Sequence, residues 1–134
     1  MKFLLAQINP VVGDLEGNAK KILYIASKAC SISADFVLTP ELSLWGYPAN
    51  DLLLKRNLIK NQYQILDQLA LDVNKKYGNL SITVGMAEII NDSFFPNLYN
   101  SIALLEGGEW KIIARKIILP TYEVFDEKRY FRSE

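Results

Sequence analysis

The sequence predicts an α/β fold whose sheet opens with parallel pairing, and three features carry that expectation. Two short apolar runs, "KFLLAQI" (2–8) and "ADFVL" (34–38), bracket a stretch whose apolar residues recur at helical spacing. Strand, helix and strand in that order make a βαβ unit, whose two strands pair in parallel. Further on, "LYNSIALLE" (98–106) and "WKIIARKI" (110–117) flank "GGE", a glycine-bearing connection of the kind that closes a hairpin.

The elements follow in order. Asn9-Pro10 punctuates the first strand, and "VVGDLEG" (11–17) reads as a polar loop. From Asn18, a reasonable N-cap, one helical face collects Ala19, Ile22, Leu23, Ala26, Ala29 and Cys30. After the second strand and an aromatic loop, "NDLLLKR" (50–56) predicts one or two helical turns. Leu58, Gln62, Leu66, Leu69, Val73 and Tyr77 then form the stripe of a second long helix over 58–77, closed by Gly78 in the C′ position. "LSITVGMAEI" (80–89) predicts the strand that precedes the hairpin. No repeat, low-complexity tract or linker interrupts the chain.

Composition excludes several function classes. The 134 residues carry 15 Lys+Arg against 15 Asp+Glu, and that balance argues against a nucleic-acid or anionic-membrane surface. A single cysteine allows no internal disulfide, which fits a reducing compartment. With no histidine besides, a structural zinc site is effectively excluded. The start, "MKFLLAQINP", has a faint signal-peptide look, but Gln7, Asn9 and Pro10 break its apolar stretch and no small-residue cleavage site follows. No window approaches a membrane span, so a cytoplasmic globular chain is expected.

Two charges stand out against apolar surroundings. Strict alternation in "WKIIARKI" puts Trp110, Ile112, Ala114, Lys116 and Ile118 on one face, where Lys116 is the only charge. Glu41, in "DFVLTPELSLWGYP" (35–48), follows a buried strand, where open α/β sheets place their ligand sites. An ammonium and a carboxylate in apolar settings each need a partner, and pairing Glu41 with Lys116 answers both needs. The alternatives at this point are a structural ion pair or a lysine that snorkels off an edge strand. Cys30 lies mid-stripe with no adjacent cation and reads as a small core residue rather than a nucleophile. No G-x-S-x-G elbow is present, and Gly13, Gly17, Gly107 and Gly108 make no phosphate-cradling loop. Trp45, Tyr47, Tyr122 and Phe125 flank the two charges and either wall a small pocket or belong to the core.

Three stretches carry a resemblance. "LAQINPVVGDLEGNAKKI", "PELSLWGYPANDLLLK" and "ARKIILPTYEVFDEKRYF" are similar to the glutamine-hydrolysing domain of glutamine-dependent NAD synthetases, in the nitrilase or carbon–nitrogen hydrolase superfamily. The likeness runs the length of the chain. It implies an α-β-β-α sandwich of which residues 1–134 supply roughly the first half. By position, it gives Glu41 the role of general base, Lys116 that of the lysine stabilising the tetrahedral oxyanion, and Glu127 that of a second glutamate holding the lysine. Tyr47, Tyr122 and Phe125 match aromatics that line the glutamine pocket.

The resemblance also implies what lies elsewhere. The family's nucleophilic cysteine falls C-terminal to the lysine, beyond Glu134, so this segment alone is expected to be inactive. No cofactor is expected in this segment, with ATP, magnesium and deamido-NAD confined to a separate synthetase domain that receives the ammonia. L-glutamine is the implied partner, with neither nucleic acid nor membrane. A sheet face lacking the other half of the sandwich implies self-association, hence a homo-oligomer. Two other readings remain beside this one: a stand-alone amidase, nitrilase or carbamoylase, and a non-catalytic interaction fragment.

Overall fold

The computed structural model describes residues 1–133. Its elements are β1 (Phe3–Leu5), α1 (Leu15–Ser31), β2 (Phe36–Leu38), a 3₁₀ turn (Asn50–Leu54), α2 (Arg56–Tyr77), β3 (Ser81–Ile89), β4 (Leu98–Glu106), β5 (Glu109–Arg115) and a short 3₁₀ turn (Glu127–Arg129). They form one five-stranded sheet in the order β1-β2-β3-β4-β5. β1, β2 and β3 run parallel, whereas β3, β4 and β5 are antiparallel neighbours. The expected βαβ opening and terminal hairpin are both present; β4 matches its predicted run, and the other strands are one to four residues shorter than the apolar runs suggest.

The two helices cover one face of this sheet. Ile22, Ala26 and Ala29 of α1 and Leu66, Leu69 and Val73 of α2 share a buried cluster with Val37, Ile82, Val84 and Ala103 from the strands. The other face is open and apolar. Phe3 pairs with Phe36 and Leu5 with Leu38, so these four side chains point the same way, and Phe3 and Leu5 stay 52% and 71% exposed.

Three helical details differ from the sequence reading. α1 begins one turn earlier, because Asp14 rather than Asn18 is the N-cap and accepts from Gly17 N at 3.0 Å. Asn18 is instead fully buried inside the helix, where its amide satisfies Val11 N, Val11 O and Leu44 O at 2.8 Å each. Cys30 is exposed. It sits one residue past Ala29, about 100° further round, and so leaves the stripe that Ile22, Ala26 and Ala29 define. Gly78 does cap α2, but with φ −42° it needs none of the left-handed freedom that favours glycine at C′.

A register shift in the hairpin decides which way the end of β5 faces. Ala103 pairs with Ile112, yet the next residue, Ile102, pairs with Ala114, leaving Ile113 as a bulge. Ile102 and Ala103 are neighbours on a strand and point to opposite faces. Ile112 and Ala114 therefore do as well. Simple alternation put Lys116 on the Trp110 and Ile112 face. The bulge moves Ala114 and Lys116 to the open face, alongside Ile102 and Asn100.

Candidate active site

The turn that carries Glu41 is pinned to β3 by hydroxyls and by the absence of a side chain. Thr39 Oγ1 donates to Thr83 O at 2.7 Å and lies 2.8 Å from Ser43 Oγ, which accepts from Gly85 N at 3.0 Å. Leu44 N donates to Gly85 O at 3.3 Å. A Cβ on Gly85 would stand 2.8 Å from Pro40 O and 2.9 Å from the Glu41 carbonyl carbon, so only glycine lets the turn lie this close. Leu42, directly after the glutamate, adopts φ 48° while remaining buried, a strained conformation held by its surroundings.

Lys116 arrives from the far edge of the sheet. Its Nζ donates to Glu41 Oε1 at 2.8 Å and to Glu127 Oε2 and Oε1 at 3.0 and 3.1 Å. The three side chains predicted as a catalytic set thus meet at one ammonium. They are not equally hidden, however. Glu127 is 5% exposed, but the Lys116 and Glu41 side chains are 29% and 41% exposed, so Glu41 is half-exposed rather than buried. The open sheet face explains this, because nothing among the described residues lies over the glutamate.

Partial burial works against the Lys116 ammonium, but hydrogen bonds and charges from Glu41 and Glu127 outweigh it and raise the lysine above its ordinary range. The amine is thus held as a cation. Burial is the larger cause that raises the Tyr47 phenol, with the negative charges of Glu127 and Glu41 adding to it.

Glu127 is buried because the following residues tie the tail to the body. Its N–H donates to Pro120 O at 3.2 Å, Tyr130 Oη donates to Asp51 Oδ1 at 2.6 Å, and Arg132 N donates to Leu98 O at 2.8 Å. Phe131 completes the anchor and is 2% exposed.

One polar residue escaped the sequence reading. Asn100, 4% exposed on β4, donates from Nδ2 to Glu41 Oε1 at 2.5 Å and, more weakly, to Glu127 Oε1 at 3.4 Å. A weak signal was available, since Asn100 is a polar residue in a strand whose residues from Ile102 to Leu105 are all apolar.

The aromatics only partly behave as expected. Tyr47 and Tyr122 both pack on Phe125, with ring centroids 6.2 and 5.6 Å away. Glu41, Asn100 and Lys116 line a cleft of about 330 Å³ on the open face, whereas Tyr47, Phe125 and Glu127 line a separate cavity of about 20 Å³. Trp45 belongs to neither. It is fully buried, and its indole N–H donates to Gln62 Oε1 at 2.5 Å, so it is core. Among the described residues, no group of three or more His, Cys, Asp and Glu side chains is placed to hold a metal ion. Nor is any helix among them long and apolar enough to cross a membrane.

A profile of the carbon-nitrogen hydrolase family matches residues 5–134. The chain belongs to the carbon-nitrogen hydrolase family. It is 39% identical over 132 residues to the glutamine-dependent NAD(+) synthetase of Thermotoga maritima, covering 98% of this chain and 22% of that protein. To the enzyme of the same name from Synechocystis it is 41% identical over 129 residues, or 96% of this chain and 23% of the relative. Among solved structures, glutamine-dependent NAD+ synthetase from Acinetobacter baumannii superimposes with TM-score 0.84 at 35% identity, over 98% of this chain and 24% of that one. An amidase from Nesterenkonia shares the fold, with TM-score 0.76 at 21% identity over all of this chain and 48% of the amidase. This carbon-nitrogen hydrolase chain therefore spans less than a quarter of the two curated synthetases it matches. Its mixed sheet and helical layer are those of the nitrilase fold.

Proposed function

We propose that this chain is the N-terminal portion of a glutamine amidohydrolase domain that feeds ammonia to an NAD synthetase. The observation that carries the reading is the shared ammonium of Lys116, bound at once to Glu41 and Glu127 in a cleft on the open face. Relatives named glutamine-dependent NAD(+) synthetase, matching nearly the whole chain, support the choice of substrate.

In this reading a cysteine thiol from a later segment of the protein gives its proton to Glu41, and the sulfur bonds the side-chain amide carbon of glutamine. The Lys116 cation stabilises the negative charge that gathers on the amide oxygen. Glu41 then hands its proton to the departing nitrogen, the carbon–nitrogen bond breaks, and ammonia leaves a thioester. Water, deprotonated by Glu41, cleaves the thioester and restores the thiol. Glu127 keeps Lys116 aimed, while Tyr47, Tyr122 and Phe125 flank the substrate. Cys30 takes no part, being exposed on the helical layer, away from the open face. ATP, magnesium and deamido-NAD belong to a synthetase domain elsewhere in the protein, which is cytoplasmic. The exposed apolar face around Phe3, Leu5 and Leu38 drives self-association when nothing else covers it.

The test is a chimera in which this chain replaces the matching segment of the Thermotoga maritima synthetase. The chimera is expected to release ammonia from glutamine in preference to butyramide, and Lys116→Ala or Glu41→Gln to lower that release by a factor of about 10³ or more. The isolated chain is expected to release none. A folded chimera without glutaminase activity, or ammonia release by the isolated chain that survives Cys30→Ala, overturns the proposal.

A further inference from the structure

Glu41 has two carboxylate oxygens, and the structure treats them differently. Oε1 accepts from Asn100 Nδ2 at 2.5 Å and from Lys116 Nζ at 2.8 Å, whereas Oε2 has no partner among the described residues. We propose that Asn100 is a positioning residue: with Lys116 it pins Oε1, so that Oε2 alone is free to take and return protons. The inference rests on the reading of Glu41 as the general base.

The physical reason for an amide at this place lies in the charges. Glu41 and Glu127 bring two negative charges to one ammonium, so the cluster carries a net −1 when all three are ionised. A second lysine would neutralise it but would compete with Lys116 for both carboxylates. Asn100 supplies two N–H donors without charge and reaches Glu41 Oε1 at 2.5 Å and Glu127 Oε1 at 3.4 Å. It thereby bridges the same two oxygens that Lys116 bridges from the other side, at 2.8 and 3.1 Å.

Its own orientation is fixed. Asn100 sits in the β3–β4 ladder opposite Ala87, its carbonyl accepts from Lys116 N at 2.8 Å, and the residue is 4% exposed. Glu41, by contrast, is a 41% exposed side chain on a turn, with rotamers to lose. Lys116 cannot hold it alone, because a flexible four-carbon stem constrains distance better than direction. A rigid donor on a buried strand constrains both.

Substitutions separate this role from simple packing. Asparagine and aspartate have nearly the same shape, whereas alanine leaves a small void. If Asn100 only fills space, Asn100→Ala is the worse change. If it donates to carboxylates, Asn100→Asp is worse, because it removes the donor and adds a third negative charge.

Two measurements test this, and the first needs no activity. By NMR on the isolated chain, an Asn100 side-chain amide proton is expected far downfield, moving back upfield in Glu41→Gln. Scalar couplings are expected to show one Glu41 rotamer in the wild type and averaging among several in Asn100→Ala. An ordinary solvent-exposed amide shift for Asn100, or a single Glu41 rotamer retained in Asn100→Ala, overturns the inference whatever the protein's substrate. In the glutaminase chimera, Asn100→Ala is expected to lower kcat by about 10–100-fold with KM within about threefold, and Asn100→Asp to lower it further. Equal kcat in wild type and both variants, or Asp milder than Ala, likewise overturns it. A chimera inert toward glutamine counts against the proposed substrate and leaves the NMR result to decide on Asn100.

Discussion

Lys116 Nζ lies 2.8 Å from Glu41 Oε1, although 75 residues of chain separate the two. Everything between them serves that distance: β2 delivers the glutamate, β3 and β4 span the gap, and β5 brings the lysine back. The contact is thus a readout of the whole sheet, and several consequences can be measured.

Removing the lysine leaves two carboxylates without their shared cation, one of them 5% exposed. Lys116→Met is expected to destabilise the chain by about 2–4 kcal/mol at neutral pH, read as a lower urea midpoint with unchanged slope. The alkaline side discriminates further. Lys116 and Tyr47 both have folded values above their ordinary 10.5 and 10.0, so their protonated forms are favoured in the folded state. Their contribution is complete below those ordinary values and disappears as pH climbs through the raised ones. Wild-type stability should fall above pH 10, and Lys116→Met should flatten that fall.

Glu88 contributes on the acid side. Arg115 grips it with Nε at 2.8 Å and Nη2 at 2.6 Å, and Ser101 Oγ donates at 2.7 Å. The guanidinium holds the Glu88 carboxyl below its ordinary value of 4.5, despite the opposing effect of burial. This stabilisation is present above 4.5 and is lost as pH drops through the depressed folded value. Glu88→Gln is expected to cost about 1–3 kcal/mol at pH 7, with the gap to wild type closing under acid titration.

Gly85→Ala tests the seating of the Glu41 turn. The added methyl meets backbone at Pro40 and Glu41, which has no rotamer to yield. A loss of about 1–3 kcal/mol is expected, with the Lys116 to Glu41 hydrogen bond broken, seen as loss of the protected lysine ammonium signal by NMR.

Asn18→Ala removes a fully buried amide from its three backbone partners and strands Val11 N and Leu44 O. Thermal unfolding should show a loss of about 2–4 kcal/mol, large for a single asparagine outside any catalytic role.

Much of this was legible from the residues. Apolar runs announced the strands, the Leu66, Leu69 and Val73 stripe announced α2, and two isolated charges announced each other across the chain. The failures have physical causes. Asn18 looked like a cap because helix-capping residues and buried polar anchors are chemically alike, and only the fold decides between them. Spacing places Cys30 in the core because a helical stripe has an edge, and spacing alone does not say where it falls. Asn100 went unnoticed because a neutral amide in a strand raises no electrostatic alarm until carboxylates surround it. Strict alternation misplaces Lys116, since it has no way of anticipating a residue left out of the ladder.

That omitted residue, Ile113, makes the site sensitive to chain length as well as to chemistry. Deleting Ile113 would leave Ala114 opposite Ile102, so Lys116 would keep its aim and only a 48% exposed isoleucine would be lost. Deleting Arg115, two positions on, would turn the ammonium through half a revolution into the helical side and uncouple it from Glu41. One codon is dispensable and its near neighbour is not, though neither encodes a group that touches Glu41.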